Sequence, residues 1–157
     1  MLNERSSNKK EKGQISALRT LFKYEIDVNL ELLERFYKKI KNDTIQNEPI
    51  NYTTYIANSP LPHFNILIWE KQNYLLTLAF TESEIKNIQY FYNQIISLKV
   101  IYNHIQNGIP ESEKEIKIRF VKSSEIRIPY YHYFQNDSAE FMKISEKLIK
   151  LGNPLNK

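Results

Sequence analysis

The side chains of this chain best suited to proton transfer near neutral pH are His63, His104 and His132. His132 sits within "IPYYHYF", residues 128–134, where four aromatic rings surround one imidazole. An imidazole among tyrosines is suited to shuttling protons, so His132 is the best single candidate for acid–base work. The chain offers it no identifiable partner, and a place at the rim of a core explains it as well. No histidine pairs with another at i,i+3 or i,i+4, and no cysteine is present to complete a zinc shell or act as a nucleophile. The only glycines are Gly13, Gly108 and Gly152. Phosphate loops need several glycines so that backbone N–H groups can approach the anion, and none cluster here. Glu82 and Glu84 suit the start of a helix, and Glu111, Glu113 and Glu115 read as a solvated loop. The sequence is therefore read as non-enzymatic, with no cofactor and no metal.

A second kind of chemistry is polyanion binding. Lys9, Lys10 and Lys12 lie in a polar N-terminal stretch, and Lys117, Arg119, Arg127, Tyr131 and Tyr133 share one side of an alternating pattern. Cations neutralise phosphate while rings stack on bases, a combination nucleic-acid binders use. The plainer reading is a solvated sheet face, since tyrosine favours strands and Lys and Arg commonly coat them. Lys and Arg together number 22 against 18 acids, a net charge of +4 that permits an anionic partner without requiring one.

These residues need elements to position them. Residues 1–13 carry no apolar period and read as a disordered basic arm. Ile15, Leu18, Leu21 and Phe22 recur at helical spacing, and a second helix is expected over residues 30–41, capped by Asp27 or Asn29. "INYTTYIA", "HFNILIWEK" and "NYLLTLAF" alternate or run apolar like strands, the last two as a hairpin across residues 71–73. "TESE" at 81–84 is a capping box that opens a long helix to about Asn107, with Gly108 as its left-handed terminator. A second hairpin is expected over residues 115–134, and a last helix from Asp137 to Gly152.

The expected fold is α+β: a mainly antiparallel sheet of about five strands packed by a long central helix, in the order α-α-β-β-β-α-β-β-α. It forms one domain over residues 14–152, with a tail over 153–157. That order is similar to the one in the small dimeric chaperones of type III secretion, although order alone does not carry function. Strands apolar on both faces leave surplus surface around Leu67, Trp69 and Leu75, which symmetric self-association would cover. The expected function is a protein-binding module (an adaptor, assembly factor or small chaperone-like protein), with a second copy as its expected partner and nucleic-acid binding as the alternative. No apolar run is long enough to cross a bilayer, and no secretory signal is visible. The expected location is cytoplasmic, with no membrane partner.

Overall fold

The computed structural model describes residues 2–43, 49–109 and 133–156, with the side chains of 2–9, 43 and 49–51 left aside. Among these described residues six α-helices follow in order: α1 (Leu2–Asp43), α2 (Pro49–Asn58), α3 (Leu67–Gln72), α4 (Leu76–Ala79), α5 (Glu82–Gly108) and α6 (Gln135–Leu151). Short 3₁₀ turns at Asn73–Leu75 and Pro154–Asn156 complete the described elements. No strand occurs among the described residues, so the expected α+β sheet is corrected to an all-α fold. The similarity of element order to secretion chaperones falls with the sheet.

Each correction has a local cause. The first two expected helices are one, because Asp27 and Asn29 do not cap anything. Asn29 lies fully buried in mid-helix, its amide donating to the Asn65 carbonyl at 2.6 Å and its Oδ1 accepting from the Asn65 N–H at 2.8 Å. Asp27 accepts from the Asn153 amide at 2.7 Å. The backbone of α1 also continues through residues 2–13, the stretch expected as a disordered arm. The expected strand at 50–57 is α2. Its buried residues Tyr52, Thr53, Ile56 and Ala57 follow helical spacing, and Pro49 occupies the first helical position, where a missing N–H costs nothing. Within residues 63–80, expected as a hairpin, Leu67–Ala79 form α3, the 3₁₀ turn and α4.

The capping box at α5 forms as expected. Thr81 Oγ1 accepts from the Glu84 N–H at 3.3 Å, and Glu84 accepts from the Thr81 N–H at 2.8 Å. Gly108 is not a left-handed terminator; it is the last helical residue, and a Cβ there would overlap the Phe134 ring. Gly152 does take a positive φ of 65° and ends α6, donating to the Leu148 carbonyl. Helix α6 starts at Gln135 without a side-chain cap, and Asp137 pairs instead with His104 at 3.1 Å. The expected second hairpin, residues 115–134, lies outside the described residues up to 132.

The core is one cluster. Phe22, Ile26, Leu33, Phe36 and Ile40 of α1 meet Ile88, Phe91, Tyr92, Ile95 and Leu98 of α5, with Ile56 of α2 and Phe141 and Leu148 of α6 filling the layer between. Phe36 and Phe141 pack edge to face at 6.0 Å, joining α1 to α6. Thr53 and Ser138, both buried, share a 2.7 Å hydrogen bond where α2 crosses α6. Gln106 of α5 donates to the carbonyls of Ile56 and Ala57, satisfying acceptors that the end of α2 leaves open.

Candidate functional site

The most polar point of the interior is the Glu25 carboxylate, 1% exposed. It accepts from the Ile68 N–H at 2.8 Å, the Trp69 N–H at 3.2 Å and the Tyr92 hydroxyl at 2.7 Å. Ile68 and Trp69 are the second and third residues of α3. Their N–H groups are the ones an N-cap side chain normally satisfies, and Ile66 at the cap position has no oxygen to do so. Glu25 thus supplies from α1 the cap that α3 lacks. Asn65 adds the remaining bond, its Oδ1 accepting from the Leu67 N–H at 3.0 Å. The Trp69 ring stacks on Tyr92 with centroids 4.8 Å apart. Burial, with the Glu25 bond and charge behind it, pushes the Tyr92 hydroxyl far above its ordinary value and keeps it a donor.

A second clamp lies six residues earlier on α1. Arg19 binds both Glu84 oxygens, at 2.5 and 3.2 Å, donates to the Ala79 carbonyl at 2.7 Å and covers the Phe80 ring. The Arg19 bond holds the Glu84 carboxyl at about 2, with the Thr81 N–H reinforcing it. These two clamps fix the segment from 65 to 80 against α1. They favour helix in a run of strand-forming residues, because the open N–H groups of Ile68 and Trp69 and the open carbonyl of Ala79 are satisfied from α1.

Fixing that segment decides which of its side chains face outward. Trp69 and Leu75, expected at an interface, pack against the protein's own core, and Leu76 and Ala79 are buried. Leu67 is 47% exposed, and Tyr74 and Leu78 join it at 72% and 65%. Lys71 is exposed as well, so Leu67, Lys71, Tyr74 and Leu78 make an exposed series spaced four, three and four residues apart across α3, the 3₁₀ turn and α4. Tyr74 and Leu78 were missed by the strand pattern, which placed Leu78 inside a hairpin.

The other anticipated residues are dispersed. Lys10 and Lys12 are exposed on α1, and Lys9 lies on its backbone between Asn8 and Lys10. Tyr133 is 77% exposed and meets Phe134 edge to face. Lys117, Arg119, Arg127, Tyr131 and His132 lie outside the described residues, so the basic tyrosine-bearing face has no described counterpart. His63 is exposed, and His104 contacts Asp137 and the Phe134 ring. No group of three potential metal ligands occurs among the described residues. A shallow cleft between α5 and the end of α6 is lined by Phe91, Leu148, Leu151 and Pro154, with Asn87 and Tyr90 its only polar side chains. It holds no acid–base pair. No described helix is long and apolar enough to cross a membrane. No protein-family model, curated protein or solved structure matches this chain.

Proposed function

We propose that this protein is a non-enzymatic binding module of the adaptor, assembly-factor or small chaperone-like kind, working in the cytoplasm as a homodimer. The observation that carries this reading is the outward row Leu67–Lys71–Tyr74–Leu78. Its spacing of four, three and four reads the same in both directions. A two-fold axis across this series would lay Leu67 against Leu78 of a second copy and Lys71 against the second copy's Tyr74 ring. Each contact is made twice, as an isologous interface requires. Leucine burial contributes about 1.5–3 kcal/mol per fully covered side chain, and a lysine over tyrosine roughly 0.5–1 kcal/mol at an exposed site.

Light scattering and sedimentation over the micromolar range test the reading. The expected result is a monomer–dimer equilibrium, shifted to monomer by Tyr74→Glu with Leu78→Glu while the far-ultraviolet spectrum stays unchanged. A wild-type chain that stays monomeric throughout, or a double variant that dimerises equally well, would remove the proposal.

A further inference from the structure

Helix α5 carries two long seams. Phe91, Leu98 and Ile105 run down the middle of its buried side. On the opposite side Gln89, Asn93, Ile96, Val100, Asn103 and Asn107 recur at spacings of four, three, four, three and four, and all six are exposed. Ile96 is 38% exposed and Val100 62%. At 100° per residue the six fall within an arc of about 80°, along about 27 Å of one helix. The alternation of four and three is the a and d register of a coiled coil. No residue of this outer seam is charged. The outward faces of the other long helices differ: they carry the pairs Glu31–Arg35 and Glu34–Lys38 on α1 and Glu146–Lys150 on α6. On α5 the pair Glu82–Lys86 occupies the two positions of the same register before Gln89, and the charge stops there. The amides of Gln89, Asn93, Asn103 and Asn107 make no hydrogen bond to any other described residue.

We infer that this seam is an antiparallel helix–helix interface, and that its occupant is α5 of a second copy. The series is symmetric about Leu98. A two-fold axis there sets Ile96 against Val100 of the second copy, Asn93 against its Asn103, and Gln89 against its Asn107, each contact being made twice. Apolar residues meet apolar ones and amides meet amides. An amide carries both donors and an acceptor, so facing amides can exchange N–H···O bonds in both directions. Lys86 falls opposite a position past Gly108, beyond the end of the helix, so the charged part of the face stays out of the overlap. A parallel pairing would also match like with like along the seam. It would set Lys86 on Lys86 and Glu82 on Glu82, and align two macrodipoles that the antiparallel pair opposes. Half-buried Lys99 flanks the seam and meets its own counterpart there, and its four-carbon stem lets the ammonium turn to water. The face is one helix wide, less than a stable complex buries, so the pairing is weak and exchanging. It goes beyond the series on residues 67–78 and does not depend on it. With both faces occupied, copies associate past the dimer.

The test is disulfide trapping, for which the chain's lack of cysteine leaves a clean background. Full-length Ile96→Cys and Val100→Cys chains, both also carrying Tyr74→Glu and Leu78→Glu, are mixed in equal amounts and oxidised. In the antiparallel pair, position 96 of one copy is level with position 100 of the other. Two copies of position 96 are about 6 Å apart along the axis, beyond disulfide reach once the gap between the helices is added. The mixed disulfide should therefore exceed the two symmetric ones together, whereas random collision gives equal amounts. Adding Asn93→Lys and Asn103→Lys to both chains puts like charges opposite each other and should return the products to the random ratio, with the circular dichroism unchanged. The inference is overturned by a random ratio without the lysines, by an excess of the symmetric disulfides (the parallel pairing), or by an excess of the mixed product that the lysines leave intact. Because the Tyr74 and Leu78 changes remove the 67–78 contact, the disulfide pattern reads this seam alone, and sizing of the wild-type chain against the Tyr74→Glu, Leu78→Glu variant reads the other.

Discussion

Replacing Glu25 by Gln changes one oxygen for one NH₂ at the point where α1, α3 and α5 meet. The carboxylate serves three donors: Ile68 N–H on Oε2, and Trp69 N–H and the Tyr92 hydroxyl on Oε1. A glutamine has one acceptor oxygen. Placed at the Oε1 position, it keeps Trp69 and Tyr92 but turns its own NH₂ toward the Ile68 N–H, which then loses its acceptor. An orphaned donor costs about 1–3 kcal/mol, with the lower part of that range fitting a partly buried group. Two charge-assisted bonds become neutral ones, at about half the strength. The expected loss is about 2–3 kcal/mol, a large share of the stability of an ordinary domain. Urea unfolding followed by circular dichroism and by Trp69, the only tryptophan, measures it. Tyr92→Phe should cost less, because it removes one donor and strands none of the remaining groups. The double variant should show a coupling of at least about 0.5 kcal/mol, since both changes act on one oxygen. Amide exchange at Ile68 should accelerate in Glu25→Gln and not in Tyr92→Phe. A Glu25→Gln protein within about 0.5 kcal/mol of wild type would refute the claim that Glu25 serves as the cap of α3.

Two further outcomes follow from the packing. Glu84 falls from an ordinary value of 4.5 to about 2, so its contribution is complete above pH 4.5 and disappears as pH falls toward 2. With Arg19 41% exposed and Glu84 23%, solvent screening reduces that contribution to about 1 kcal/mol. Acid unfolding curves should show Arg19→Met losing this part of the pH dependence, and a slope unchanged from wild type would count against the clamp. Gly108→Ala should destabilise by about 1–3 kcal/mol through overpacking against the Phe134 ring, and adding Phe134→Leu should recover part of it in thermal melts. No recovery would place the cost elsewhere.

Legibility varied with the length of each pattern. Helix α5 was visible because 27 residues of helical period follow a capping box whose two bonds are both local. The buried face of α1 at Leu18, Phe22, Leu33, Phe36 and Ile40 was equally plain. Helix α2 was missed because Tyr52 and Ile56 satisfy a period of 2 and a period of 3.6 alike over eight residues. Residues 63–80 were missed for a non-local reason. Their apolar runs are ambiguous, and the groups that decide for helix, Glu25 and Arg19, lie 43 to 60 positions away. A signal was present: Glu25 and Asn29 are polar residues on the apolar stripe of α1, four apart, between Phe22 and Leu33. Polar side chains in such places mark a partner segment whose backbone they serve. At the exposed series on residues 67–78, Leu67 was named from the sequence. Trp69 and Leu75 proved internal, because one turn of helix in place of a strand rotates them onto Tyr92 and the core.

The Asn153 amide reaches the Lys23 carbonyl and the Asp27 carboxylate across 130 and 126 positions of chain. At translation rates of roughly 5–20 residues per second, α1 waits about 6–25 s for that latch after Asp27 is made. The Asn29–Asn65 pairing closes after 36 positions and the Arg19–Glu84 pair after 65. The contacts on the Asn29 side of α1 can therefore close well before the latch at Lys23 and Asp27, which waits for Asn153.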